Sequence, residues 1–355
     1  MSRIVTLGEI MGRLAAPGHR RFQQAMPGTL EVTFAGAEAS VAVGIARLGG
    51  EAAFVSALPA HDLGDACLAS LRAHDVDTRC IVRTPGGRLG LYFVEAGVNQ
   101  RPGQVIYDRD HSAFALTPPE AYDWPAIFAG AEWFVLSGIT PALTATTAEV
   151  ARTAVQEADR HGVNVAFDLN YRSKLWGWDP PRPPRTLAAA TLRGLMPWVD
   201  LLIGGPADAE LLLDNPPPFD PEDPAAAESL VQRLAAAYPR TRRIALTQRA
   251  GQSASTTECG ALLADFIRGG CHHAPARGRR HFIPQIVDRL GAGDAFTAGL
   301  LFALTTPDLA DPPSAIAFAA AAGCLAHSIE GDFNLSSRSE IEALMREESA
   351  ARIRR

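Results

Sequence analysis

Gly291-Ala292-Gly293-Asp294 sits between a strand-like apolar run, "FIPQIVD", and a helical run of small residues, "AFTAGLLFAL". The first turn of a helix leaves backbone N–H groups without partners, and the aligned peptide dipoles favour negative charge there. Glycines let another molecule approach that backbone, so Gly291, Ala292 and Gly293 read as an anion cradle. A carboxylate inside an anion cradle is anomalous unless it handles a proton. Asp294 therefore suits a general base for a hydroxyl that attacks a phosphoryl group. A plainer reading stands beside it: Asp294 caps the helix and the glycines only permit close packing.

Two arginines suggest a second chemistry. A ligand carboxylate is best met by a planar, permanently charged donor, which favours arginine over lysine. Arg109 follows Tyr107 by two residues in "VIYDRDHS", which puts both on one face of a strand. Arg172 follows "FDLNY" at a strand end, where open α/β sheets bind their ligands. Asp168 and Asn170 share that face if the strand extends so far. Each tyrosine also fits ordinary packing, and each arginine a surface ion pair.

These groups need a frame. Apolar runs such as Ile4–Leu7, "AAFVSAL", "EWFVLSG", "VNVAFDLN", "VDLLIGG" and "RRIALTQ" alternate with helical patterns such as Ala37–Gly49 and "TAEVARTAVQEADRHG". Strands apolar on both faces and linked by helices predict an α/β fold: a mostly parallel central sheet with helices on both faces. Arg88–Glu95 and Gln104–Tyr107 break the rhythm, having no helix between them. With the segment from about Gly12 to Thr33 they predict a small sheet outside the main one, bracketed by Gly36 and Gly86-Gly87. Such a sheet on glycine joints reads as a lid; the alternative is a meander on the sheet edge. The expected division is a core of residues 1–11, 36–86 and 114–345, a lid of residues 12–35 and 87–113, and a tail of residues 346–355.

With 355 residues, 47% of them hydrophobic, the chain can bury a sizeable core. Its net charge of −6 argues against a nucleic-acid partner, which needs a basic face. Basic residues cluster at Arg277-Gly278-Arg279-Arg280 and at Ile353-Arg354-Arg355, which read as a solvated loop and tail. The 5 cysteines are odd in number and form no CxxC pair, as in a protein with reduced thiols. Cys271-His272-His273 lacks a second cluster at zinc-ligand spacing. No run approaches the roughly 18 apolar residues that cross a bilayer, and the first residues do not form a signal peptide. A soluble, cytoplasmic protein without a membrane partner is expected.

"DRLGAGDAF" resembles the C-terminal signature of the ribokinase-like (PfkB-type) carbohydrate kinases, and "FAGAEASVAVGIARLGGEAAFVSALPAHDLGD" resembles their other signature. "GEIMGRL", "RLGLYFVE", "VIYDRDHSAF", "SGITPAL", "FDLNYRSKLW" and "EGDFNL" are similar to 2-keto-3-deoxygluconate kinases. The resemblance runs from about Ile4 to Leu335. It implies a ribokinase-like fold and transfer of the ATP γ-phosphate, with Mg²⁺, to the 6-hydroxyl of 2-keto-3-deoxygluconate or a close sugar acid. It makes Asp294 the base and gives the N–H groups of Ala292, Gly293 and Asp294 the developing phosphoryl charge. It assigns Gly36, Tyr92, Tyr107, Arg109 and Arg172 to the substrate, with Asp168 and Asn170 beside them. Thr247, Arg249 and Gly251 in "ALTQRAGQSAS" fall near the ATP phosphates, and Asp208 serves the metal through water.

Three departures stand out. Ala35-Gly36 replaces the usual Gly-Gly, Ser40 a usual asparagine, and Gly205 the asparagine of an Asn-x-x-acid motif that ends here at Asp208. Two alternatives follow: a neutral-sugar or nucleoside kinase of the same fold, or a sugar-acid binder without turnover. A reading as an oxidoreductase is weak, because no GxGxxG follows the first strand. The edges of a lid sheet need covering, so a homo-oligomer, most simply a dimer, is expected.

Overall fold

The computed structural model describes residues 2–214, 216, 220, 223–251 and 253–346. The tail expected after residue 346, including Ile353-Arg354-Arg355, lies outside them.

A 9-stranded sheet organises the chain. From one edge its strands are Cys271–Ala274, Thr257–Asp265, Arg243–Gly251, Leu201–Gly204, Asn164–Asp168, Ala131–Ser137, Arg3–Leu7 and Glu51–Val55, with His281–Ile283 also paired to Thr257–Asp265. From Arg243–Gly251 to Glu51–Val55 every pairing is parallel. Alternate residues along each strand face opposite sides, so one strand feeds two cores. Ile4, Val135, Ala166 and Ile203 join one core with helices Ala37–Arg47, Ala292–Leu304 and Pro312–Ala326. Val5, Phe134, Phe167 and Leu202 join the other with helices Ala145–Arg160, Pro184–Leu195 and Pro224–Ala237. Phe134, Phe167 and Phe318 are fully buried. Each such side chain contributes about 1.5–3 kcal/mol, which fixes the strand ends as a rigid base.

A separate 4-stranded sheet has the order Glu31–Ala35, Met11–Ala15, Gly90–Glu95, Gln104–Asp108. Met11–Ala15 pairs in parallel with Gly90–Glu95, and the outer pairs are antiparallel. Its inner face buries Met11, Ala35, Tyr92 and Val94 against Leu290. This is the ribokinase-like arrangement: a parallel sheet between helices, with a small sheet standing apart.

Local structure differs from expectation at several places. "FIPQIVD" is a strand only over His281–Ile283. Pro284 has no N–H to continue a ladder, and the N–H groups of Ile286 and Val287 donate to Ser255 and His327 instead. The antiparallel strands Thr257–Asp265 and Cys271–Ala274 were not anticipated, since a run apolar on both faces does not reveal strand direction. The strand carrying Asp168 ends there, and Asn170 takes a left-handed φ of 35°. Asp168 and Asn170 therefore do not share a strand face. Likewise the strand carrying Tyr107 ends at Asp108, one residue before Arg109.

Candidate active site

A cleft of about 530 Å³ opens at the carboxyl ends of the parallel strands, where the small sheet meets the core. Crevices at this end are where open α/β sheets bind ligands. A wider depression of about 1240 Å³ lies at the opposite strand ends, and none of the expected site residues lines it.

The helix Ala292–Leu304 points its N-terminus at the cleft. Gly291 caps it with φ 78°. A Cβ at Gly291 would fall 2.0 Å from the carbonyl oxygen of Asp332, so both conformation and space demand glycine. Among the described residues, the N–H groups of Ala292, Gly293 and Asp294 donate to no other backbone group. Gly291, Gly293 and Asp294 line the cleft. The Ala292 side chain does not; it is buried in the core, and only its backbone is left for a ligand. Burial, then the neighbouring carboxylates Asp168 and Asp332, push the Asp294 pKa well above the ordinary carboxylate range, and Arg172 opposes them.

Asp168, Asn170, Arg172, Asp208, Thr247 and Arg249 also line the cleft: the first three at or after the end of Asn164–Asp168, Asp208 on the helix Pro206–Ala209, and Thr247 and Arg249 within the strand Arg243–Gly251. Burial and then Asp208 raise the Asp168 pKa to about 7. Burial raises that of Asp208 as well. Gly205 caps the short helix Pro206–Ala209 with extended backbone and no side-chain cap. The nearest atom to a Cβ placed there is Asp208 Oδ2, 4.0 Å away. Gly251 is not brought to the cleft; it ends the hairpin strand beyond Arg249.

From the small sheet come Tyr92, Tyr107 and Arg109. The Arg109 guanidinium lies 5.5 Å from the Tyr107 ring centroid. It also forks onto Glu9 Oε2, with Nε donating at 2.8 Å and Nη2 joining it. Both residues are buried, and Glu9 Oε1 has no partner. The Arg172 guanidinium, by contrast, has no hydrogen bond and no ion pair among the described residues. Gly36 closes the wall: a Cβ there would sit 2.2 Å from the Glu9 carbonyl oxygen.

Sequence reasoning missed four charged residues of this cleft: Glu9, Glu38, Arg289 and Asp332. Glu38 is buried, accepts from Ser137 N at 3.0 Å and Thr140 Oγ1 at 3.3 Å, and has its pKa raised by burial. Arg289 donates through Nε to the Ala254 carbonyl at 3.1 Å and through Nη2 to that of Ser253. Asp332 Oδ1 accepts from Tyr92 Oη at 2.8 Å. All four fall inside stretches that carry the family resemblance: Glu9 in "GEIMGRL", Glu38 in "FAGAEASVAVG", Arg289 in "DRLGAGDAF" and Asp332 in "EGDFNL", so a signal existed at each position.

An acid at the mouth of an unpartnered helix turn, with cationic and hydroxyl-bearing side chains around it, defines a kinase of the ribokinase-like class. Residues 1–337 match the pfkB family carbohydrate kinases, and the chain belongs to that family. It is 33% identical over 348 residues to the 2-dehydro-3-deoxygalactonokinase of Haloferax volcanii, covering 97% of each chain. The crystal structure of 2-dehydro-3-deoxygluconokinase from Thermotoga maritima is similar with a TM-score of 0.87 and 37% identity, over 98% of this chain and 100% of that one. A PfkB family carbohydrate kinase from Listeria grayi follows with a TM-score of 0.86 and 31% identity, over 97% and 100%. The protein is therefore a sugar kinase.

Proposed function

We propose that the cleft binds ATP and a 2-keto-3-deoxy sugar acid of the gluconate or galactonate type, and transfers the γ-phosphoryl group to the 6-hydroxyl. The observation that carries this reading is the unpartnered guanidinium of Arg172, in one cleft with Asp294 and the free helix N–H groups. An unpaired arginine among carboxylates suits a substrate that brings its own carboxylate. The names of the two kinases of dehydro-deoxy sugar acids above support the same class. Tyr92, Tyr107, Gly36, Asn170 and Arg109 shape the sugar end, and the small sheet serves as its lid.

Asp294 takes the hydroxyl proton. Burial and the neighbouring carboxylates raise its pKa, which makes it a stronger proton acceptor than an ordinary aspartate, and Arg172 with the helix N-terminus favours its charged form. Ala292, Gly293 and Asp294 offer N–H groups to the transferring phosphoryl. Among the described residues the Arg249 guanidinium also has no hydrogen-bond or ion-pair partner, and its Nη2 lies 3.8 Å from the Cβ position of Gly293. It therefore supplies phosphate-binding charge beside Thr247. The donor set also fits Mg²⁺: Asp208 and Asp168 are oxygen donors in the cleft, with open space at Gly205. Asp208 would hold the ion through water, and the bound ion would neutralise phosphate charge.

Gly205 favours one second reading, a sugar-acid binder with impaired turnover, because no asparagine is present to help position phosphates and metal. A neutral-sugar kinase is the remaining alternative. A panel of sugar acids and neutral sugars assayed with Mg-ATP, with mass detection of product, separates all three. Phosphorylated sugar acid is expected. A preference for ribose or fructose overturns the acid assignment, and calorimetric binding without product establishes the impaired binder. The exposed Val32 and Ile106 on the small sheet support a lid-to-lid dimer, which light scattering checks. Among the described residues no helix is long and apolar enough to cross a membrane; a cytoplasmic site of action accords with the 5 free cysteines.

A further inference from the structure

Arg13 lies on the strand Met11–Ala15 of the small sheet, yet its guanidinium is buried in the core. Nη1 donates to Asp332 Oδ1 at 2.9 Å, and Nη2 pairs with Asp288 Oδ2. The two acids flank the anion-binding turn. Asp288 Oδ1 accepts from Leu290 N at 3.1 Å and Oδ2 from Gly331 N at 3.2 Å, which joins the loop before the turn to the loop behind it. Asp332 packs its carbonyl on Gly291, and its carboxylate accepts from Tyr92 of the small sheet.

These contacts raise a problem of charge. A turn that must hold phosphate is bracketed by two carboxylates, which repel an anion if left unbalanced. Arg13 balances both at once, because its fork reaches two acceptors where an ammonium would act at a point. That charge arrives on the small sheet and not on the core. We propose that Arg13 is a positioning residue that makes the turn Gly291–Asp294 competent for phosphoryl transfer only when the small sheet is seated on the core. It touches neither substrate nor phosphate and acts through Asp288 and Asp332. The inference rests on the kinase reading above.

The test compares wild type, Arg13→Ala and Arg13→Lys in the full chain, using the sugar acid that wild type phosphorylates. Arg13→Ala is expected to lose about 100-fold in kcat, the scale of a small misplacement of reacting groups. Its KM for the sugar acid should stay within about threefold. Arg13→Lys should recover only part of the loss. Free guanidinium, at a concentration that leaves wild type unaffected, should restore turnover to Arg13→Ala, because a cavity of about 230 Å³ abuts the Arg13 side chain. Methylammonium should restore less. A kcat of Arg13→Ala within threefold of wild type overturns the proposal. So does a folded but slow variant that guanidinium does not improve.

If Arg13→Ala does not fold, Asp288→Asn replaces it, keeping the Leu290 contact while removing the charge that Arg13 meets. The same kcat loss then supports the coupling, and wild-type kcat overturns it. If wild type phosphorylates no sugar acid, the kinase reading fails at that point. Coupling is then judged by hydrogen exchange in residues 11–15, 90–95 and 288–294. Faster exchange in all three segments of the variant supports it; faster exchange in residues 11–15 and 90–95 alone overturns it.

Discussion

Beneath the small sheet, Arg109 is forked onto Glu9 and Tyr92 donates to Asp332. At the helix mouth, the guanidinium groups of Arg172 and Arg249 have no hydrogen-bond or ion-pair partner among the described residues, and three consecutive N–H groups find no backbone acceptor there. At the first end the charged groups are paired before any ligand arrives, with Glu9 Oε1 left over, whereas the second is left open. Preorganised donors raise the reaction rate only where charge develops, and the open end is where the phosphoryl group would travel. The closed end instead needs a fixed shape, and its internal ion pairs supply it. A ligand at the closed end must fit around an existing pair; one at the open end completes the bonding.

The strongest way to break this division is Asp294→Asn. The amide keeps the size and loses the proton acceptor, so kcat should fall about 10²- to 10⁴-fold. Sugar-acid affinity by calorimetry should hold, since the closed end is untouched. An Asp294→Asn enzyme with wild-type kcat would remove the base from the open end and leave the helix turn as packing alone.

The two arginines sharpen the comparison, because the same chemical type sits in opposite states. Arg172→Ala should raise KM for the sugar acid about 10- to 100-fold, the loss of a charge-assisted contact. Its Tm should fall less than that of Arg109→Ala, since Arg172 forms no ion pair among the described residues and only its longer-range charge on Asp168 and Asp294 is lost. Arg109→Ala leaves the buried Glu9 carboxylate alone and should destabilise the fold by about 3 kcal/mol. Thermal melts beside steady-state kinetics read both. If Arg172→Ala melts early and Arg109→Ala does not, the assignment of open and closed ends is reversed.

The open end was the more legible in the sequence. Gly291, Gly293 and Asp294 are adjacent, and a helix start follows them, so local rules about caps and dipoles were enough. The parallel core was legible too, because short runs apolar on both faces, alternating with helical patterns, survive in a single sequence. The closed end depends on pairs far apart in the chain. Glu9 and Arg109 are 100 positions apart, and Arg13 and Asp288 are 275 apart. No periodicity connects such residues, and a lone acid beside a strand resembles a solvated one. Thr257–Asp265 was not read as a strand at all, and its antiparallel direction is set by the neighbour it pairs with.

Asp168 gives a pH test of the strain at the open end. Its folded pKa of about 7 lies above the ordinary aspartate value near 3.9. The folded state therefore holds this proton more tightly than the unfolded chain does. The stability tied to that proton is full below about pH 4 and is lost as pH climbs towards 7. Asp168→Asn should flatten this part of the stability curve and raise the Tm at pH 8 by a few degrees. Identical slopes in Asp168→Asn and wild type between pH 4 and 8 would mean that the carboxylates of the open end do not strain each other.

The smallest effect concerns the residue that is absent. Gly205 caps a helix with φ −86° and ψ 157°, a conformation that asparagine adopts readily, and nothing lies within 4 Å of its Cβ position except Asp208 Oδ2 at the limit. Gly205→Asn should therefore fit without strain and add a capping acceptor, for a few tenths of a kcal/mol. Its larger interest is functional. If the open end lacks only this one positioning group, Gly205→Asn should raise kcat/KM for Mg-ATP about two- to tenfold. No gain would indicate that Arg249, which lines the same cleft, already fills the place. Gly205→Asn in an Arg249→Ala background decides between the two. A gain seen only there means that the arginine and the asparagine are alternative solutions to holding one phosphate chain.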